Sequence, residues 1–362
     1  MEDCPVFIYT NTDFVTHVCR SYGNVDAPTV SRFDMTLRCS WTDKMNRGLF
    51  RYHLGDIETR IVPGPYRYVA QLNILRGKER RKPQEIMSVQ QSFDARQFNF
   101  NKINPSEFMF ELVKQAVPGE RPTENGLTGQ SCRVVINVSP LEFGHCLLVP
   151  EPARCLPQVL TPFAIQTGIE TVFLSANPGF RVGFNSLGAF ASVNHLHLHG
   201  YYLDRELGIE YASAELLVPD KKLHCTTEFP AGFLFYTEGQ DLGETASAVC
   251  QLTDFLIREN IAHNLFMTRG CAPDSDGKPF PTRHGVRIMV WPRKSCFGAK
   301  EETAFNVALC ELAGHLPFKN REDFERIKEE EVKSIVQKYL LCYEEFDWLQ
   351  KRIKTLFLES KA

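Results

Sequence analysis

Three histidines fall on alternate positions, His195, His197 and His199, separated by Leu196 and Leu198. Alternate side chains of a strand leave the same face, so the imidazoles are expected to line one surface while the leucines enter the core. Same-face neighbours lie roughly 6.5 Å apart, a spacing that suits a row of imidazoles along a bound polyphosphate. A neutral imidazole is a good nucleophile toward phosphorus near neutral pH, and the phosphoramidate it forms is reactive enough to be cleaved in a second step. On this reading His197 is the nucleophile, and His195 and His199 flank the phosphates. Ser192 offers a hydroxyl, and Gly188 a backbone N–H, to phosphate oxygens. Asn194 points to the opposite face and is expected to be structural.

The same residues admit other readings. His-x-His on a strand with a third imidazole is a zinc arrangement, but three alternate positions are too spread for one tetrahedral ion unless the strand bends, and spacing nominates no further ligand. No metal and no cofactor is therefore expected. A purely structural row would need a hydrogen-bond partner for each of three desolvated rings, a demanding way to build a core. No G-x-S-x-G, G-x-x-x-x-G-K-[ST] or G-x-G-x-x-G pattern occurs, which removes the commonest nucleophile elbow and phosphate cradles without excluding a nucleotide.

Runs rich in β-branched and aromatic residues predict strands at 48–53, 66–74, 133–138, 146–149, 179–184, 193–202, 232–236, 263–268 and 285–291. Helices are predicted from near Pro157, over Gly243 to Asn260, and at the C-terminus, where Val332, Ile335, Val336, Tyr339, Leu340, Tyr343, Phe346, Leu349 and Ile353 recur at helical spacing. Pro118 to Gln130 and Ala272 to Arg283 read as surface loops, the second a hairpin connection. Its Asp274-Ser275-Asp276-Gly277 lacks the remaining ligands of a calcium loop. The runs on either side, His263 to Arg269 and His284 to Arg293, give a weak signal of a degenerate second copy of the strand pair that precedes the histidines.

A chain of 362 residues with 43% hydrophobic and 23% charged residues is globular, and its net charge of −3 argues against general binding of nucleic acid. Acidic residues near the start and the lack of an apolar run of ~20 residues argue against a signal peptide and a membrane span. Twelve scattered cysteines without C-x-x-C spacing read as reduced thiols in a cytoplasmic protein.

The motif and its surroundings resemble the histidine-triad superfamily. The resemblance lies in His195 to His199 with Asn185, Gly188 and Ser192 before them, and in Val135 to Pro140 followed by Gly144-His145-Cys146-Leu147-Leu148-Val149-Pro150. Further upstream, Gly48 to Arg51, Glu58 to Gly64, Tyr68 to Asn73, Arg80 to Pro83 and Phe93 to Lys102 are similar to the GDP-hexose phosphorylases. The resemblance implies an α+β fold of the galactose-1-phosphate uridylyltransferase-like type, an antiparallel sheet with covering helices and two related halves in one chain. Residues 1–220 would carry the motif, and 221–362 would form a degenerate half ending in a helix.

It further implies a nucleotidyltransferase in which His197 attacks the α-phosphorus of a GDP-hexose and inorganic phosphate then releases GDP. His199 stands where the plant branch has glutamine, which favours the branch acting on GDP-D-glucose and leaves room for hydrolysis. Other outcomes are a nucleotide-sugar or dinucleotide hydrolase and a non-catalytic nucleotide-binding regulator. The segment Arg76 to Lys82 carries a local charge of +4, and the resemblance makes Arg80, Arg81 and Lys82 candidates for phosphate contact. Gln71 and Asn73, on one face of a predicted strand, and Asn137, in the region where histidine-triad proteins hold the ribose, are candidate base or ribose contacts or else structural amides. His145 could equally hold structure or touch ligand.

Overall fold

The computed structural model describes residues 5–16, 18–19, 30–55, 57–79, 83–115, 130–226, 228–273, 282–298 and 304–359. The strands begin with β1 Val6–Tyr9, β2 Val18–Cys19, β3 Thr59–Ile61, β4 Val69–Leu72, β5 Phe108–Lys114, β6 Ser131–Ile136, β7 Cys146–Pro150 and β8 Phe180–Asn185. They continue as β9 Leu198–Tyr202, β10 Ala214–Val218, β11 Leu223–Thr226, β12 Gly232–Thr237, β13 Ala262–Gly270, β14 Thr282–Arg283, β15 Gly285–Arg293 and β16 His315–Phe318. Helices are α1 Arg32–Asn46, α2 Ile74–Lys78, α3 Pro162–Leu174, α4 Leu242–Arg258, α5 Leu309–Leu312, α6 Arg321–Arg326, α7 Glu329–Gln337 and α8 Tyr343–Glu359.

Eleven strands form one sheet in the order β1-β5-β6-β7-β9-β8-β13-β15-β12-β11-β10. Every pairing in it is antiparallel except β1 with β5. One face packs on α1, α3, α4 and α8, whose Leu37, Ile165, Ile169, Val249, Leu252 and Ile353 are fully buried. Removing such side chains from water stabilises the fold by roughly 1.5–3 kcal/mol each. The other face packs on the small sheet β16-β4-β3 and on α5, α6 and α7. The α+β expectation is thus met.

Two copies of one motif build the large sheet. The order β5, β6, β7, α3, β8, β9 repeats as β10, β11, β12, α4, β13, β15, and the copies join where β8 pairs with β13. The junction registers Val182↔Met267 and Phe184↔Leu265 exchange under a two-fold centred on Gly183↔Phe266. Following the ladders outward carries Gly200 onto Val290, Cys146 onto Phe233 and Ile136 onto Cys225. The weak internal repeat is therefore real, and it reaches through the histidine strand itself. His199 maps onto Met289, His197 onto Arg287 and Asn137 onto Thr226. Arg287 is buried, with its guanidinium donating to the carbonyls of Cys271, Ile209, Ala212 and Ala272.

Several expected elements differ. Residues 48–53 form turns, not a strand, and the strand expected from 66 to 74 is confined to β4. Asn73 still donates its backbone N–H to the Phe318 carbonyl of β16 at 3.0 Å, but its side chain caps α2, accepting the Arg76 N–H at 3.1 Å. The helix expected from Pro157 begins at Pro162, with Thr161 as its cap. The C-terminal stripe is divided between α7 and α8, each burying only its own apolar face. Most of both predicted loops lies outside the described residues, including Asp274 to Gly277, as do Arg80, Arg81 and Lys82.

Candidate active site

The strand expected over 193–202 starts only at Leu198. Before it, the side chain of Gln158 replaces a neighbouring strand: its Oε1 accepts the His197 N–H at 2.9 Å, and its Nε2 donates to the carbonyls of His197 and Asn185, both at 3.0 Å. Leu196 and Leu198 still enter the core completely. The alternation inferred from sequence therefore survives although the ladder does not. Asn194 is structural as expected, bridging Gln158, Gln91 and Ser92.

Hydrogen bonds to the backbone assign a tautomer to each ring. His197 Nδ1 lies 2.7 Å from the His195 carbonyl; an oxygen there only accepts, so the proton sits on Nδ1 and Nε2 keeps its lone pair. His195 Nδ1 accepts the Phe100 N–H at 3.0 Å. His145 Nδ1 accepts the Leu141 N–H at 2.7 Å, which leaves its proton on Nε2, 3.1 Å from His199 Nδ1. His199 then carries its own proton on Nε2, a donor suited to a phosphate oxygen. Burial pushes His195 and His197 down to about 4 and His145 well below its ordinary value. These rings are neutral at pH 7, the state a nucleophile needs.

Phe100 belongs to a single 3-10 turn, Phe100–Lys102, capped by Asn99. Its ring stacks on His195 at 5.6 Å and packs on His197 at 4.8 Å. It thus fixes both imidazoles from the side opposite the sheet.

Two clefts meet over the histidines. One, about 90 Å³, is mixed in character, with Phe98, Phe100, Ile103, Val135 and Leu147 on its apolar side and Glu107, Asn137 and Ser139 among its polar points. The other, about 240 Å³, is polar, with Asn73, Asn185, Asn306, Glu311 and Lys319. Arg76, Ser192 and His199 line both, and His197 lines the first. Arg76 donates to the Ser139 carbonyl.

The structure gathers His197, His199, Ser192, Asn137, Asn185 and Asn73 at these clefts. It does not bring all the candidates there. His195 lines neither cleft and instead supplies the carbonyl that holds His197. Gly188 turns with φ +76°, and a Cβ there would come within 3.1 Å of Phe297 and Val89, so it serves close packing. Gln71 is fully buried and donates to Glu142. Asn73 spends its amide NH₂ on the Pro140 and Leu141 carbonyls. Asn185 Oδ1 accepts from Asn264 (2.6 Å) and from the Leu309 N–H (3.0 Å), tying the site to the second half.

Sequence reasoning missed Asn306, Glu311 and Lys319, because spacing gives no hint that the C-terminal segment folds back onto the first half. It named Arg76 only as part of a charged run. The Phe93 to Lys102 segment, noted for its resemblance, was the available signal for Phe100. Among the described residues, no group of three or more His, Cys, Asp or Glu is arranged to hold a metal ion.

A duplicated antiparallel sheet with a row of histidines beside a bipartite cleft is the histidine-triad-like fold that the sequence resemblance implies. Comparisons agree. Residues 32–201 match the GDPGP1-like, N-terminal domain and 213–360 the GDPGP1-like, C-terminal domain; the chain belongs to the GDPGP1-like family. It is 61% identical to GDP-D-glucose phosphorylase 1 of Danio rerio, over 98% of this chain and 99% of that one. It is 51% identical to GDP-D-glucose phosphorylase 1 of Homo sapiens, over 93% of this chain and 88% of the relative. With GDP-L-galactose phosphorylase 1 of Arabidopsis thaliana the identity is 32%, over 92% and 75%. The fold is similar to that of yeast Ap4A phosphorylase Apa2 in complex with Ap4A, with TM-score 0.56 and 13% identity over 86% of this chain and 98% of the other.

Proposed function

We propose that this protein phosphorolyses GDP-D-glucose to GDP and glucose 1-phosphate. The observation that carries the mechanism is His197, with Nδ1 tied to the His195 carbonyl and Nε2 unprotonated beside the clefts. Nε2 attacks the α-phosphorus, the bond from that phosphorus to the bridging oxygen breaks, and glucose 1-phosphate leaves with the electron pair. Inorganic phosphate then attacks the guanylyl-histidine, forming GDP and returning the pair to Nε2. A sugar phosphate is a good leaving group, so no strong general acid is needed.

In this reading the smaller cleft takes guanine against Phe98 and Phe100, with Asn137 toward the ribose. Ser192, Arg76 and His199 hold the α-phosphoryl oxygens, and Asn185 holds the polar cleft's edge. Arg80, Arg81 and Lys82, immediately after α2, supply further positive charge for the phosphates. His195, Gly188, Gln71 and Asn73 position these groups. Catalysis belongs to the half within 1–220, and the half within 221–362 closes the polar cleft. Ten described cysteines are free thiols, which supports a reducing, cytoplasmic setting. Among the described residues, no helix is long and apolar enough to cross a membrane.

The test is incubation with GDP-glucose with and without phosphate, resolving GDP from GMP. GDP that requires both phosphate and His197 is expected. GMP formed regardless of phosphate would make the protein a hydrolase.

A further inference from the structure

The two-fold of the large sheet places a second cavity at the image of the first site. Thr226 and Met289, the images of Asn137 and His199, both line a hollow of about 330 Å³ on the second half. Arg287, the image of His197, is held by four main-chain carbonyls, and Met289 has no proton to give, so phosphoryl chemistry is gone. The hollow itself remains, and its size is within the range of small-molecule sites.

Its walls are flat and apolar. Tyr66, Tyr68, Phe229, Ile209, Met289 and Leu312 line it. Tyr66 and Tyr68 stack at 5.8 Å and 9°, and Phe229 meets Tyr66 edge-on at 6.4 Å. Lys333 lies 4.1 Å from the Tyr66 ring centroid, which steadies that wall. Tyr68 is 4% exposed, and its hydroxyl makes no hydrogen bond among the described residues. A buried hydroxyl left unsatisfied in a cavity wall is costly unless a ligand completes it. Polar side chains stand at the edges, with Arg67 and Glu228 both exposed.

We propose that this cavity is a second, non-catalytic site for a purine nucleoside, the base lying among the tyrosines, Phe229 and Met289 and the ribose toward Arg67 and Glu228. A free hexose fits the walls poorly, because its hydroxyls would face Ile209, Met289 and Leu312 without partners. A flat heterocycle buries apolar area and keeps its polar edge for the mouth. The choice of a purine rests on the reading of the first cleft as a guanine nucleotide site.

The test uses guanosine and calorimetric titration of the whole protein. Two guanosines per chain are expected for the wild type. One is expected for Gly208→Phe, because a Cβ at Gly208 meets only the Tyr66 carbonyl at 3.7 Å, leaving room for a ring that fills the cavity. Turnover of GDP-glucose by that variant should stay within about twofold of wild type. Tyr66→Ala should weaken the second event at least tenfold without changing the first. A single guanosine per wild-type chain, or two that survive Gly208→Phe, would overturn the proposal. Loss of phosphate dependence in turnover would instead overturn the catalytic reading, and the second binding event would be unaffected.

Discussion

At His197 the two ring nitrogens have opposite roles, and a main-chain carbonyl decides which is which. The ring cannot turn over without losing a 2.7 Å hydrogen bond and the face of Phe100. His197→Ala is therefore expected to lower kcat by at least ~10³-fold, as removal of a nucleophile does, with guanosine affinity nearly unchanged by calorimetry. Because burial holds His197 down at about 4, kcat/KM should show no loss from its protonation between pH 8 and pH 5. The fall should begin only as pH approaches that value, which a pH–rate profile checks. His145 acts one step away, through His199. His145→Phe should lower kcat roughly 10- to 100-fold, a typical cost of losing a partner that orients a functional imidazole. Calorimetric titration should find guanosine binding intact, which a general loss of structure would not leave.

The element that makes the triad is a strand with its beginning peeled away. Gln158, fully buried in the segment before α3, stands in for the missing neighbour by satisfying both polar groups of the His197 backbone. Gln158→Leu keeps the volume but strands a buried N–H and two carbonyls. A loss of about 2–4 kcal/mol is expected on the cost of unsatisfied buried groups, read as a lower urea midpoint at constant m-value together with a reduced kcat. The alternation of His and Leu was legible because the period of two is a property of any extended chain. That the ladder starts only at Leu198 was not legible, since it depends on a glutamine 39 positions away. The same contrast holds at Asn73, which reads as a strand residue but caps α2. Its side-chain oxygen reaches the Arg76 N–H at 3.1 Å, so the chain turns into α2 directly after its last bond to β16.

Over the whole molecule, burial of neutral histidines governs acid stability. His195, His197, His263 and His315 are all pushed down to about 3 or 4 by desolvation, and His145 lower than its ordinary value from the same cause. Below pH ~6.5 the unfolded chain takes up protons that these folded rings refuse, so stability is fully present above that pH and falls as pH drops toward about 4. Each ring contributes about 1.4 kcal/mol per pH unit in that window. Glu142, raised to about 6 by burial, takes up a proton in the folded state over the same range and offsets part of one ring. The unfolding midpoint temperature should therefore be level from pH 8 to 7 and drop steeply between pH 6.5 and 5. A level midpoint down to pH 5 would show these rings to be solvated.

The sequence by itself determined the alternation of the three histidines, the amphipathic α4 and most strands of the sheet, because periodicity and local chemistry act between residues close in the chain. Only the tertiary structure decided which histidines reach the clefts, that Asn306, Glu311 and Lys319 complete the polar one, and that the second copy of the motif keeps a hollow without its chemistry. Those outcomes depend on strand register and on segments far apart in the chain, such as Asn185 and Leu309, 124 residues apart. Long-range closure of that kind is settled by packing and by the satisfaction of buried polar groups, which no local pattern in the chain records.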